Sequence, residues 1–300
     1  MVKPNFFVVG ALKSGTTALC EYLGRHPEIF IPSSKEINYF GSDLALRLPR
    51  LTEQQYLEWH FAEAGGEPRV GDGSVWYLYT KKAAAEIHAF DPDARIVIML
   101  RNPVDALYSL HSQFLYTGDE DIRDFGQALA AEPDRRNGNR IPERTSFPEM
   151  LYYRDVAAYA DQVARFLHTF GRDQVEVHLF DDFVRDIAAV DRSILTFLGV
   201  DPGFTTRFQV VNPNKEIRNK PVQEFLKRPP SVVRRIGRWI LPGYESRERL
   251  RRRMIGWNTR HPDRVPMDRS LRERLTAEFA PEVQRLEALL DRDLSRWRSA

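Results

Sequence analysis

The run Gly10-Ala11-Leu12-Lys13-Ser14-Gly15-Thr16-Thr17 carries the strongest chemical signal in the chain. It follows a short apolar segment, Phe6 to Val9, and leads into a segment patterned as a helix. A glycine-rich turn between strand and helix aims backbone N–H groups and the positive end of the helix at an anion. Lys13 adds a cation, and Thr16 and Thr17 add hydroxyl donors. Gly10 and Gly15 permit close backbone approach. The plain alternative is a glycine-rich turn with no ligand. Its position directly after the first strand, with a lysine and two threonines inside it, weighs against that. The spacing is not that of a Walker A loop, because Gly15 is followed by Thr16 and the lysine comes earlier, at Lys13.

A second cation stands where an NTPase would place an acidic magnesium ligand. The apolar run Arg95 to Leu100 reads as a buried strand and ends in Arg101. Strand ends of open α/β sheets bind ligands, and Ser109, two helical turns on, can share the same anion. Alone, Arg101 is equally a strand-end salt bridge; beside the first loop it reads as a second phosphate contact. The pair implies a nucleotide with two separated anionic groups, bound without metal. Glu36 lies between Lys35 and the run Ile37-Asn38-Tyr39-Phe40, which makes it a candidate general base. The competing reading of Lys35-Glu36 is a solvated charge pair. The 7 histidines are scattered without metal-ligand spacing, though His60 and His111 could line an acceptor site. Cys20, the single cysteine, reads as a small core residue of the first helix.

The surrounding pattern supplies elements to position these groups. Helices are expected over Thr16 to Arg25, Lys81 to Phe90, Asn102 to about Tyr116, Leu151 to Phe170 and Ala188 to Leu198. Strands are expected over Phe6 to Val9, Val70 to Val75, Arg95 to Leu100 and Val175 to Phe180. This alternation predicts an α/β fold, a P-loop-like central parallel sheet flanked by helices, as a single domain over 1–300. Residues 117–150 are polar and rich in Gly, Pro, Asp and Arg, and are expected to form a variable surface loop. Residues 230–300 are expected to form a C-terminal helical lid or cap. Within them Leu271, Leu275, Phe279, Val283, Leu286 and Leu290 recur at helical spacing, in a segment expected to divide near Pro281. The Arg-rich stretch Arg234 to Arg253 reads as a solvated helix or lid, with an anionic membrane or polyanionic acceptor as its rival partner.

The chain has 300 residues, 44 Lys+Arg against 42 Asp+Glu, and a formal charge of +2. That balance predicts no bulk attraction to nucleic acid, so any anion site must be local. One cysteine allows no internal disulfide and fits a reducing compartment. The short apolar start and the lack of any long apolar run predict neither a signal peptide nor an integral membrane segment, so a cytoplasmic protein is expected.

With these residues in place, the chain resembles the sulfotransferases that use 3′-phosphoadenosine 5′-phosphosulfate, closest to bacterial members and heparan-type glucosamine sulfotransferase domains. FFVVGALKSGTTAL resembles the family's 5′-phosphosulfate loop, and RIVIMLRNPVDALYSLHSQF its 3′-phosphate segment. KEINYF resembles its Lys-Glu-x-His-Phe-Phe segment, with Asn38 in place of histidine. VGDGSVWYL resembles its Gly-Glu-x-Ser-Pro-x-Tyr segment, with Asp72 and Val75 as departures. The resemblance implies that Lys13, Ser14, Gly15, Thr16 and Thr17 hold the 5′-phosphosulfate, that Arg101 and Ser109 hold the 3′-phosphate, and that Glu36 is the base. Asn214 to Lys220 resembles a later basic loop, which implies Arg218 and Lys220 as further nucleotide contacts. The departures lie toward the acceptor side, where Trp76 and His111 are candidate substrate contacts. The implied reaction moves a sulfuryl group to a hydroxyl, or less readily an amine, of a small-molecule, glycan or lipid acceptor. A P-loop kinase or NTPase and a non-catalytic nucleotide-binding protein stand as the alternatives.

Overall fold

The computed structural model describes residues 2–46, 49–206, 216–217, 259–260 and 265–299. The chain divides into two compact units, one of Met1–Val211 with Met267–Ala300 and the other of Asn212–Pro266.

The first unit opens with β1 (Phe6–Gly10), α1 (Thr16–Leu23), β2 (Ile29–Phe30), α2 (Glu53–His60), β3 (Arg69–Asp72) and α3 (Ala83–Phe90). It continues through β4 (Arg95–Leu100), α4 (Pro103–Thr117), α5 (Phe125–Ala130), α6 (Glu132–Arg136), α7 (Tyr153–Val156) and α8 (Tyr159–Phe170). β5 (Val175–Leu179), α9 (Phe180–Arg185) and α10 (Ile187–Leu198) follow. In the second unit, β6 (Glu216–Ile217) pairs antiparallel with β7 (Thr259–Arg260). The C-terminal helix α11 (Arg269–Leu290) returns to the first unit.

Five strands form a parallel sheet in the order β2-β3-β1-β4-β5. β1 and β4 are apolar at nearly every position because both faces of the sheet are covered. Phe7, Val9, Ile96 and Ile98 pack with residues of α3, α8 and α11 on one face. Phe6, Val8, Val97 and Met99 pack with residues of α1 and α10 on the other. Cys20 sits in this second layer, 5% exposed. A third cluster joins α4, α5 and the segment from Phe147 to Ala157 with the first half of α11. Asn102 caps α4 by accepting from Val104 N at 2.9 Å, with Pro103 in the first turn, as its sequence indicates.

Several expectations are corrected. Residues 117–150 are not simply a surface loop: they hold α5, α6 and a 3₁₀ turn from Pro148 to Leu151. These close around Arg135 and Glu120, a fully buried ion pair at 2.8 Å, with Tyr153 OH donating to Glu120 at 2.9 Å. Most of the segment's other charges face solvent, so its composition hides the buried pair. The helix expected over 151–170 breaks at Ala157 and Ala158, where Gln162 Nε2 donates to the carbonyls of Asp155 and Val156 at 2.8 and 3.3 Å. The strand expected to reach Val75 stops at Asp72, and a 3₁₀ turn takes over from Val75 to Tyr77. α11 runs through Pro281 undivided. Leu275 and Phe279 before the proline, and Val283 and Leu286 after it, are each anchored in a core cluster. Residues 230–264, apart from β7, and the Arg-rich stretch lie outside the described residues. Among the described residues, no helix is long and apolar enough to cross a membrane.

Candidate active site

The carboxyl ends of β1, β3, β4 and β5 open on one edge of the sheet, and the candidate groups follow them directly. After β1 the chain turns at Gly10, where a Cβ would lie 2.6 Å from Leu78 Cβ. Gly15 precedes α1 at φ +86°, a left-handed conformation that favours glycine. A Cβ there would also meet the Phe180 ring at 3.0 Å. No side chain caps α1 and no acidic residue occupies its first turn. Its first N–H groups are therefore suited to an anion, the fit that a phosphate-bearing donor requires. Ser14 is buried inside the loop, with its hydroxyl 3.4 Å from Leu12 O. Thr16 and Thr17 begin the helix, and Lys35 Nζ donates to Thr17 Oγ1 at 3.2 Å. Lys13 Nζ donates to Gln113 Oε1 at 2.7 Å, which ties the loop to α4.

Arg101, directly after β4, donates from Nη1 to Lys13 O at 3.2 Å. Its guanidinium lies over the Phe180 ring, 4.6 Å from the centroid. Burial lowers its pKa. Among the described residues it forms no ion pair. The cation thus stands beside the loop with Lys13. Ser109 is buried on α4.

Glu36 and Asn38 adopt left-handed backbone at φ +60° and +52°. Such a segment needs strong anchoring, and Asp72 supplies it. Asp72, 1% exposed, accepts hydroxyl protons from Ser74 at 2.7 Å, Tyr56 at 2.8 Å and Tyr77 at 2.8 Å. With their protons turned toward Asp72, these hydroxyls offer lone pairs elsewhere. Ser74 Oγ accepts Asn38 N–H at 3.1 Å, and Tyr77 OH accepts Tyr39 N–H at 3.1 Å. The Asn38 side chain donates to Glu36 O at 2.9 Å. Glu36 Oε2 in turn accepts from Val75 N at 3.1 Å. As a residue Glu36 is exposed, while its carboxylate rests against the loop backbone at Val75. Desolvation there pushes its pKa up to about 7, against the opposing effects of Lys35 and the Val75 N–H.

The structure brings together Lys13, Ser14, Gly15, Thr16, Thr17 and Arg101, and Lys35 links this loop to the Glu36 segment. Trp76 is buried, packed edge-on to Tyr79 and Phe147. His111 is a core residue between Phe125 and Tyr153, with Nε2 2.8 Å from Ile122 O, and burial lowers its pKa. His60 Nδ1 lies 2.8 Å from Ser34 Oγ. Arg218 and Lys220 lie outside the described residues. Tyr56, Tyr77 and Phe180 went unnoticed in the sequence. Tyr77 had a signal, since it closes the segment that contains Asp72; Tyr56 and Phe180 had none.

Comparison with known proteins matches this geometry to a family. The family described as "Sulfotransferase domain" matches residues 3–232. A sulfotransferase structure from Alicyclobacillus acidocaldarius is 33% identical, covers 100% of both chains and superposes with a TM-score of 0.75. The membrane-associated sulfotransferase kil1 of Dictyostelium discoideum is 32% identical over 34% of this chain and 21% of its own length. Human carbohydrate sulfotransferase 15 is 23% identical over 66% of this chain and 44% of its own length. The chain thus spans less than half of these curated relatives. With the family matched over most of its length, the chain belongs to the sulfotransferases.

Proposed function

We propose that the chain transfers a sulfuryl group from 3′-phosphoadenosine 5′-phosphosulfate to a hydroxyl of a small-molecule, glycan or lipid acceptor. The observation that carries this reading is the convergence of three features at one sheet edge: the uncapped N-terminus of α1 with Lys13, the Arg101 cation, and the Glu36 carboxylate. The loop from Lys13 to Thr17 holds the 5′-phosphosulfate, and Arg101 with Ser109 holds the 3′-phosphate. Glu36 takes the acceptor proton as the acceptor oxygen bonds to sulfur and the bond from sulfur to the 5′-phosphate oxygen breaks. Lys13 stabilises the charge that develops on that leaving oxygen. A base with a pKa near the working pH suits this role, which is typically worth ~10²–10⁴-fold in rate. Relatives named as heparan sulfate glucosamine 3-O-sulfotransferases support a sugar hydroxyl as one acceptor class.

The test is calorimetric titration of wild type and Arg101→Ala with adenosine 3′,5′-bisphosphate and, separately, with ATP–magnesium. The expected result is magnesium-independent binding of the bisphosphate, weakened at least tenfold by Arg101→Ala. Binding of ATP–magnesium in its place would overturn the reading in favour of a kinase-like enzyme.

A further inference from the structure

Arg101 is a partly buried cation that makes no ion pair among the described residues. Two carboxylates lie where they could supply one. Asp181 follows Phe180, whose ring centroid lies 4.6 Å from the Arg101 guanidinium. Asp105 sits in the first turn of α4, which begins just after Arg101. Burial lowers the Arg101 pKa; Asp105 is the first of the groups that oppose that fall, and Asp181 is another.

The C-terminal segment keeps both carboxylates engaged elsewhere. Trp297, in the 3₁₀ turn from Ser295 to Arg298, is 4% exposed and donates from Nε1 to Asp181 Oδ2 at 2.8 Å. Its carbonyl accepts from Asn102 Nδ2 at 3.4 Å, which seats the turn on the residue next to Arg101. Arg272 of α11 donates from Nη2 to Asp105 Oδ1 at 2.6 Å. The next acid along α9, Asp182, is paired with Arg292 and Arg185. A partly buried guanidinium without a counter-ion costs stability, and a carboxylate within reach would remove that cost. The fold does the opposite: it commits both neighbouring acids to donors near the C-terminus. The charge of Arg101 is thereby kept for an anion that arrives from outside.

We propose that Trp297 and Arg272 are positioning residues for the donor site: by holding Asp181 and Asp105 they keep Arg101 unneutralised for the 3′-phosphate of the donor. The inference rests on the sulfuryl-transfer reading above. It gives the closing segment of the chain an electrostatic task in addition to packing. Trp297→Phe keeps a ring in the core and deletes the N–H donor. Arg272→Gln deletes the charge from a partly exposed pair.

The experiment is calorimetric titration of the full chain with adenosine 3′,5′-bisphosphate and with adenosine 5′-phosphate, which lacks the 3′-phosphate. Trp297→Phe and Arg272→Gln should each weaken the bisphosphate about threefold to fivefold, the worth of one partly exposed ion pair, and leave the monophosphate unchanged. Adding Asp181→Asn to Trp297→Phe should restore the bisphosphate to within about twofold of wild type, because no carboxylate is left to swing onto Arg101. Should Trp297→Phe fail to fold, Arg272→Gln and its rescue by Asp105→Asn carry the same test. Equal weakening of both nucleotides, or no rescue, would reduce these residues to packing and overturn the inference. Isotope-edited NMR of the Arg101 Nε–H, assigned by its loss in Arg101→Ala, reads the same event without a nucleotide. Its resonance should shift in Trp297→Phe and in Arg272→Gln, and a resonance that moves in neither overturns the inference. Wild type that binds no bisphosphate while that resonance does shift in the variants would count against the donor reading alone.

Discussion

At the scale of single residues, the proposed base Glu36 is held by the Val75 N–H and has a pKa raised above the ordinary carboxylate range. With Glu36 as the proposed base, its raised pKa, about 7, predicts the pH range of activity. The base form is the ionised one, so kcat/KM should fall about tenfold per unit as pH drops below roughly 7 and level off above it. Glu36→Gln should lower turnover by ~10²–10⁴ and abolish that limb; full turnover in this variant would refute the base assignment. Asp72 acts at one remove, through Ser74 and Tyr77. Asp72→Asn leaves the shape but removes the charge that orients the hydroxyls, at a cost of about 1–3 kcal/mol in urea unfolding. It also removes a like charge that raises the Glu36 pKa, so the acid limb should move to lower pH. The first loop and Arg101 were legible because glycine, lysine and threonine at a strand-to-helix turn have few other uses. The Asp72 network was not, because Tyr56 reaches it from 16 residues away, and nothing in the chain marks such a partner.

At the scale of elements, legibility followed burial. β1 and β4 announce themselves as apolar runs, and α4 by the Asn102-Pro103 start. The stretch 117–150 misled because composition counts charges without saying which way they face. Arg135 and Glu120 are fully buried and neutralise one another. Glu120→Ala should therefore destabilise the chain by about 3–5 kcal/mol, since it leaves a buried guanidinium unpaired. A chemical denaturation curve shifted by less than 1 kcal/mol would show that water or a rearrangement satisfies Arg135. Pro281 misled in the other direction: the core contacts on either side outweigh its local preference, and α11 continues.

At the scale of the whole molecule, the strand order explains why distant positions meet. β1 lies between β3 and β4, so the turns after all three share one edge. The loop at Lys13, the anchor at Asp72 and the cation at Arg101 each follow one of those strands, and Phe180 follows β5 on the same edge. The alternation of elements made the parallel sheet legible, but not the order of its strands, which decides this convergence. One consequence concerns the timescale of local opening. The segment 36–39 has no regular secondary structure and sits partly at the surface, which ordinarily means fast amide exchange with solvent. Yet the Asn38 and Tyr39 amides end on hydroxyls locked to a buried carboxylate. In deuterium-exchange mass spectrometry these two amides should exchange as slowly as those of β3, as part of the sheet's own cooperative unit, and Asp72→Asn should release them while β3 stays protected.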